Sequence, residues 1–222
     1  MNIETERLII RDLMENDEQA LYKIKYDPKI HLFIPDYIKA DATIEDIKKT
    51  ISYCISVKDT GNFENEIFYP IILKSTKGII GTVTVSKLKF LYEIQIGWQI
   101  LSEYTNNGYA SEAGKAVSDE LLDKFNIDYL VVVMDTDNHA SFRTAVKSGF
   151  KIFEKRIGYD YFYGNIDTTN YEALSKYMDK KQNEKESPYF YFRKFNPKTK
   201  ITAQFYGDIK YEGRFSEIKK DN

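Results

Sequence analysis

At 222 residues, 42% of them hydrophobic, the chain suits one large domain, or a domain with an appendage, around a real core, and this excludes disorder over most of its length. With 32 basic and 34 acidic residues the formal net charge is -2, which excludes a general electrostatic pull on nucleic acid or on an anionic membrane. The lone cysteine, Cys54, excludes an intramolecular disulfide and reads as a small buried hydrophobe; with only two histidines no zinc spacing is recognisable, so no metal is expected.

The segment Met1 to Arg7 is charged where a leader peptide would be apolar, and the longest strongly apolar run is Leu130 to Met134. A reduced, cytoplasmic protein is expected. Arg7 to Leu13 reads as a first strand. A helix follows around Asp17 to Tyr26, with Leu21 and Ile24 on one face and Asp27-Pro28 as its stop. From Thr43 to about Val57, Ile44, Ile47, Ile51 and Cys54 recur at helical spacing, and Thr43 stands where an N-cap belongs.

Two apolar segments, Ile67 to Leu73 and Ile79 to Val85, flank the polar turn Lys74-Ser75-Thr76-Lys77-Gly78, the pattern of an antiparallel hairpin. Tyr92 to Leu101 alternates, sending Ile94, Ile96, Trp98 and Ile100 to one face and Glu93, Gln95, Gly97 and Gln99 to the other, so a polar face is expected to be open for chemistry. Ala110, Ala113, Val117 and Leu121 mark the buried face of a helix to about Phe125, and Tyr129 to Met134 is the β-branched run of a strand covered on both sides. Strand, helix and strand form a parallel βαβ unit. A short helix over Ala140 to Lys147 ends at Ser148-Gly149, and Phe150 opens another extended stretch. Beyond Lys151, Ile157 to Tyr163, Tyr189 to Phe195 and Ile201 to Tyr211 read as strands, Asn170 to Asn183 as a candidate helix, and the charged run Lys180 to Glu186 as solvated.

Between the alternating strand and the long helix stands Asn106-Asn107-Gly108-Tyr109-Ala110-Ser111-Glu112-Ala113. Glycine lets a backbone approach a phosphate closely, small residues keep that approach clear, and a helix N-terminus supplies N–H donors at the positive end of its dipole. A pyrophosphate is the expected ligand. The full Gly-x-Gly-x-x-Gly pattern of dinucleotide folds is absent.

Three blocks, Thr5-Glu6-Arg7-Leu8-Ile9-Ile10-Arg11, Asn107 to Ala113, and Asn138-His139-Ala140-Ser141 followed by Lys147-Ser148-Gly149-Phe150, together resemble the Gcn5-related N-acetyltransferase (GNAT) superfamily. The resemblance is greatest to the branch that holds ribosomal-protein N-terminal acetyltransferases, and it covers residues 1 to about 157. It implies an α/β (α+β) fold, a mixed, twisted sheet flanked by helices, whose two central strands splay apart to admit acetyl coenzyme A. The core is thus expected over 1–157; the Tyr-rich residues 158–222, with alternating runs such as Tyr189-Phe190-Tyr191-Phe192, are expected to complete or extend the sheet, with cleft closure or a dimer contact as alternatives. The coenzyme residues that the resemblance implies are Trp98, Gln99 and Ile100 on the strand, Thr105, Asn106, Asn107, Gly108, Tyr109, Ala110 and Ser111 at the turn, and Asn138 and Ser141 downstream. The chain departs from the pattern where relatives carry an aromatic or Gln/Arg at Thr105 and a basic residue near Asn106-Asn107. Asn tolerates a left-handed backbone, but the turn has no cation of its own. Arg143, Lys147, Lys151 or Lys155 are candidates for the outer phosphate, with solvated surface bases as the plainer reading.

Acetyl transfer to an amine needs a polarised carbonyl, a neutral amine and a proton for the leaving thiolate. The resemblance places the oxyanion donor on a backbone N–H near Trp98. Glu93 is the candidate base, with Gln95 orienting the amine or a water, because relatives often carry Glu at the position of Gln95. Ser141 is the candidate acid, since the Tyr that many relatives use is Ala145 here; helix capping is the alternative for Asn138 and for Ser141. The expected activity is transfer from acetyl-CoA to a primary amine of a peptide N-terminus or a small molecule, by direct attack in a ternary complex, in a monomer or homodimer without nucleic acid or membrane. A non-catalytic acyl-CoA-binding protein is the competing class. The segment Pro28 to Asp41, with His31, Phe33 and Tyr37, is expected to border the acceptor cleft.

Overall fold

In the computed structural model, residues 1–31, 33, 43–88, 93–157, 188–199 and 216–218 are described. The strands are β1 (Asn2–Glu4), β2 (Leu8–Arg11), β3 (Ile67–Leu73), β4 (Ile79–Lys87), β5 (Ile94–Ile100), β6 (Tyr129–Asp135), β7 (Lys151–Ile157), β8 (Pro188–Phe195) and β9 (Ser216–Ile218). The helices are α1 (Glu18–Lys25), α2 (Pro28–His31), α3 (Ile44–Ser56), α4 (Tyr109–Lys124) and α5 (His139–Lys147). Most of the Pro28 to Asp41 segment and of the expected strand Ile157 to Tyr163, and the readings for Asn170 to Asn183, Lys180 to Glu186 and Ile201 to Tyr211, lie outside the described residues.

The described strands form one mixed sheet in the order β1-β2-β3-β4-β5-β6-β8-β7-β9. The expected hairpin is β3 and β4, paired antiparallel from Ile67↔Val85 to Ile72↔Ile79. β4 pairs with the whole of β5 antiparallel, and β5 meets β6 in parallel, the βαβ unit closed by α4. β8 enters between β6 and β7, antiparallel to both, although it follows β7 in the chain.

Helices cover both faces. α4 turns Ala113, Gly114, Val117, Leu121 and Leu122 into the core, where Trp98 of β5 meets it. α5 lies on the same side, with Phe142 edge-on to Phe190 and Phe192 of β8. On the opposite face α1 packs on α3, and the Lys25 ammonium sits 5.2 Å from the Phe68 ring centroid; Phe68 points away from its neighbour Tyr69 as strand alternation requires. Thr43 caps α3 in a reciprocal box with Asp46. Buried Ile47, Ile51 and Cys54 realise the helical period read from the sequence.

β8 is tied to this framework by polar contacts as well as by pairing. Lys194 reaches Asp119 at 2.6 Å, the Ser118 hydroxyl at 2.7 Å and the Ser148 carbonyl at 3.0 Å. The buried Asn196 amide donates to the Leu122 and Ile127 carbonyls at 2.7 and 3.1 Å, fastening the end of β8 to the end of α4. No helix among the described residues is long and apolar enough to cross a membrane.

Candidate active site

The central feature is a fork. β5 pairs with β4 over Ile94 to Ile100, and β6 pairs with β8 over Tyr129 to Asp135, yet β5 and β6 share a single registered pair, Gln95↔Val131. Past that pair the two parallel strands diverge, so the β6-facing backbone of β5 around Trp98 carries donors and acceptors outside the described ladder.

At the end of β5 the chain enters the expected turn. Leu101 is buried with Ile24 and Ile30, and Ser102 starts a single 3₁₀ turn whose backbone N–H and hydroxyl both donate to Asp27, at 2.9 and 2.7 Å. Burial alone would raise the Asp27 pKa, but the hydrogen bonds from Ser102, Lys29 and Ile30 outweigh it and hold the carboxyl below its ordinary value. Asn106 and Gly108 are left-handed, with φ of 65° and 80°. The Asn107 amide donates back to the Tyr104 and Thr105 carbonyls at 3.2 and 3.0 Å, and the Thr105 hydroxyl donates to the Ser102 carbonyl at 2.9 Å. Gly108 is the N-cap of α4 and supplies no side-chain cap, so the N–H groups of Tyr109, Ala110 and Ser111 open the helix without one.

The turn has a cation in contact with it after all, from the other end of the chain. Arg7 donates from Nη1 to the Asn107 carbonyl at 2.9 Å and places its guanidinium carbon 4.7 Å from the Tyr109 ring centroid. The same side chain holds Glu112 of α4, with Nε and Nη2 each 2.7 Å from Oε2. Two sequence blocks more than a hundred residues apart thus meet at one turn; each was visible in the sequence, but nothing in their spacing paired them. Arg143, Lys147 and Lys151 are exposed, and the Lys155 side chain is outside those described.

Asn138 caps α5, accepting the Ser141 N–H at 3.0 Å, which is the capping alternative raised for it. The Ser141 hydroxyl oxygen accepts from the Trp98 indole N–H at 3.0 Å. That bond uses the oxygen as acceptor and leaves the hydroxyl proton available to another group. Trp98 is itself held by Phe150, ring centroids 6.4 Å apart, and by close approach to Gly114. Ser141, Trp98 and the first half of α4 therefore share one side of β5.

The polar face of β5 is partly open: Gln95 and Gly97 are half-buried, whereas Glu93 and Gln99 are buried. Gln99 is buried and accepts from the Thr82 hydroxyl at 3.0 Å, and the Gln95 amide donates to the Ser86 hydroxyl at 2.9 Å. The stripe Gln95, Gly97, Gln99 stands beside Ser86, Thr84 and Thr82 on the same face of the sheet. Glu93 is buried rather than presented to a cleft. One carboxylate oxygen takes hydrogen bonds from Tyr129 Oη and Arg193 Nη2, each at 2.8 Å, and the other takes a short one from Tyr191 Oη. Phe153 stacks 3.9 Å from the Arg193 guanidinium carbon. Burial, reinforced by the Glu93 charge, pushes the Tyr191 phenol pKa up, so that hydroxyl stays protonated as a donor. The sequence marked Tyr189 to Phe195 as a strand, but nothing along the chain pairs that strand with Glu93, so this cluster was missed.

A family model for the acetyltransferase (GNAT) domain matches residues 7–151. An uncharacterised N-acetyltransferase of Bacillus subtilis strain 168, YnaD, is 30% identical over 151 residues, 68% of this chain and 83% of that protein. Among solved structures, the ribosomal-protein-S5-alanine acetyltransferase of Vibrio fischeri superimposes with a TM-score of 0.67 at 18% identity, over 90% of this chain and 100% of the other. RimL, a ribosomal L7/L12 α-N-protein acetyltransferase solved in complex with coenzyme A, gives a TM-score of 0.63 at 16% identity, over 88% of this chain and 98% of its own.

Proposed function

From the premise that the chain belongs to the GNAT acetyltransferase family and is an acyltransferase, we propose that it transfers the acetyl group of acetyl-CoA to a primary amine by direct attack within a ternary complex. The observation that carries this reading is the fork at Gln95↔Val131 lying directly before the left-handed, uncapped start of α4. Pantetheine amides pair with the β6-facing backbone of β5 around Trp98 and Ile100, while the pyrophosphate meets the N–H groups that follow Asn107 and Gly108. No side chain at Gly108 stands in the way, and Ala110 and Ser111 are small.

The amine nitrogen attacks the thioester carbonyl carbon, the C–S bond breaks, and the amine loses one proton while the thiolate gains one. A backbone N–H of β5 near Trp98 stabilises the oxyanion, a contribution of about 3 kcal/mol for one donor. Ser141, fixed by the Trp98 indole, donates its hydroxyl proton toward the leaving sulfur. Glu93 is committed to Arg193 and two tyrosines, so we read it as an anchor of the fork and not as the base. Gln95 cannot accept a proton and serves to orient. The amine therefore arrives neutral or loses its proton to water, and holding the two reactants together supplies about 7–11 kcal/mol of the barrier reduction.

The acceptor class is tested by thiol release from acetyl-CoA across peptides with free N-termini, polyamines and aminoglycosides. Release with at least one primary amine is expected. Calorimetric binding of acetyl-CoA with no release across the whole panel would leave only the non-catalytic acyl-CoA-binding reading. Ser141→Ala is expected to lower kcat by about a hundredfold, and normal turnover in that variant removes the acid role.

A further inference from the structure

Glu112 lies in the first turn of α4, where a carboxylate competes with any phosphate for the positive end of the helix dipole. Its charge persists near neutral pH. Burial would raise its pKa, but hydrogen bonds from the Thr5 hydroxyl at 2.5 Å, the Arg7 backbone N–H at 3.0 Å and the Arg7 side chain outweigh this and hold it below the ordinary carboxylate range. Thr105 to Ser111 bring no charge of their own to the turn. Arg7 lies across it, with its fork on Glu112, one nitrogen on the Asn107 carbonyl and its edge over Gly108, where an added Cβ would stand 3.5 Å from Nη2. Its side chain is 42% exposed, against 17% for Glu112, so the guanidinium faces the solvent side of the pair.

Resting on the acetyl-CoA reading above, we propose that Arg7 is a positioning residue for the coenzyme's pyrophosphate, cancelling the Glu112 charge at the start of α4 so that a dianionic group can settle there. Arg7 thereby does from the N-terminal strand what a basic side chain within the turn would do. The effect is electrostatic and local to the phosphates, so it distinguishes ligands that carry them from ligands that do not.

The test is equilibrium binding of two probes to the full chain: acetyl-CoA, and S-acetyl-pantetheine, which has the same thioester arm without the phosphates. Arg7→Met is expected to weaken acetyl-CoA about fivefold or more, the range of a charge at a helix terminus, with S-acetyl-pantetheine moved much less. Arg7→Lys keeps the charge and recovers most of that loss. Glu112→Gln alone is expected to tighten acetyl-CoA by about threefold, and in the Arg7→Met background it restores affinity. The proposal is overturned if Arg7→Met leaves acetyl-CoA binding as it was or weakens both probes alike, or if Glu112→Gln fails to tighten acetyl-CoA. Should Arg7→Met not fold, Arg7→Gln, which keeps hydrogen-bond donors without the charge, takes its place and is read against the same two probes. A wild-type protein that does not bind acetyl-CoA overturns the acetyl-transfer reading and this one with it, whereas wild-type binding that Arg7→Met leaves intact overturns the role of Arg7 alone.

Discussion

A carboxylate one residue before a strand at a reaction fork has the chemistry of a general base, but Glu93 is only 6% exposed and shares its oxygens among Tyr129, Tyr191 and Arg193. Removing one partner of a buried ion pair leaves the other charged and unpaired, at a cost of about 3–5 kcal/mol. Arg193→Met should therefore lower the unfolding free energy by that amount in a urea titration, and Glu93→Gln combined with it should recover part of the loss. Turnover separates the two roles of Glu93. As an anchor, Glu93→Gln lowers stability and keeps the acid limb of kcat/KM against pH; loss of that limb at native stability would return the carboxylate to the role of base. Alternation correctly sets Glu93, Gln95, Gly97 and Gln99 on one side of the strand, but it carries no information about what stands beside them in the sheet, and here that is Ser86, Thr84 and Thr82.

At the scale of elements, α4 is the piece that links core and site, because its first turn forms the proposed phosphate seat and its inner face packs on Trp98. Gly114 makes that packing close: a Cβ there would stand 2.9 Å from the Ser148 hydroxyl and 3.1 Å from Trp98 Cε3. Alanine would regain about 1 kcal/mol of helix propensity, so Gly114→Leu is the sharper probe. Overpacking is expected to cost about 1–3 kcal/mol and to weaken acetyl-CoA binding as α4 is pushed from β5, read by thermal unfolding and calorimetry on the same samples. Destabilisation with wild-type affinity would place the phosphate seat elsewhere. The long elements α1, α3, α4 and β3 to β6 were legible because their signals are local: a 3.6- or 2-residue period, and stops or caps such as Asp27-Pro28 and Thr43. β1 and β9 were not, since three residues hold too little period to register.

For the molecule as a whole, the placement of β8 decides whether the sheet is one body. β8 pairs with all of β6 on one side and with β7 on the other, and it brings Tyr191 and Arg193 to Glu93 and Lys194 to α4. A chain truncated after residue 157 would leave β6 and β7 with open edges and Glu93 buried without its cation. Such a truncation is expected to aggregate or to lose its cooperative unfolding transition, as size-exclusion chromatography and circular dichroism would show. A soluble, cooperatively folding truncation would reduce 188–199 to an accessory segment.

The amino-acid sequence by itself determined the hairpin, the βαβ unit, the helix faces and the left-handed turn at Asn106 to Gly108, because each follows from side-chain period, capping chemistry or glycine within a few residues of where it acts. The tertiary structure alone decided that Arg7 meets Glu112, that Glu93 meets Arg193, and that β8 enters the sheet ahead of β7. The two ion pairs join residues about a hundred positions apart. Spacing along a chain carries no record of such partners; they are selected by the packing of the whole core, where a buried charge survives only beside its counter-charge.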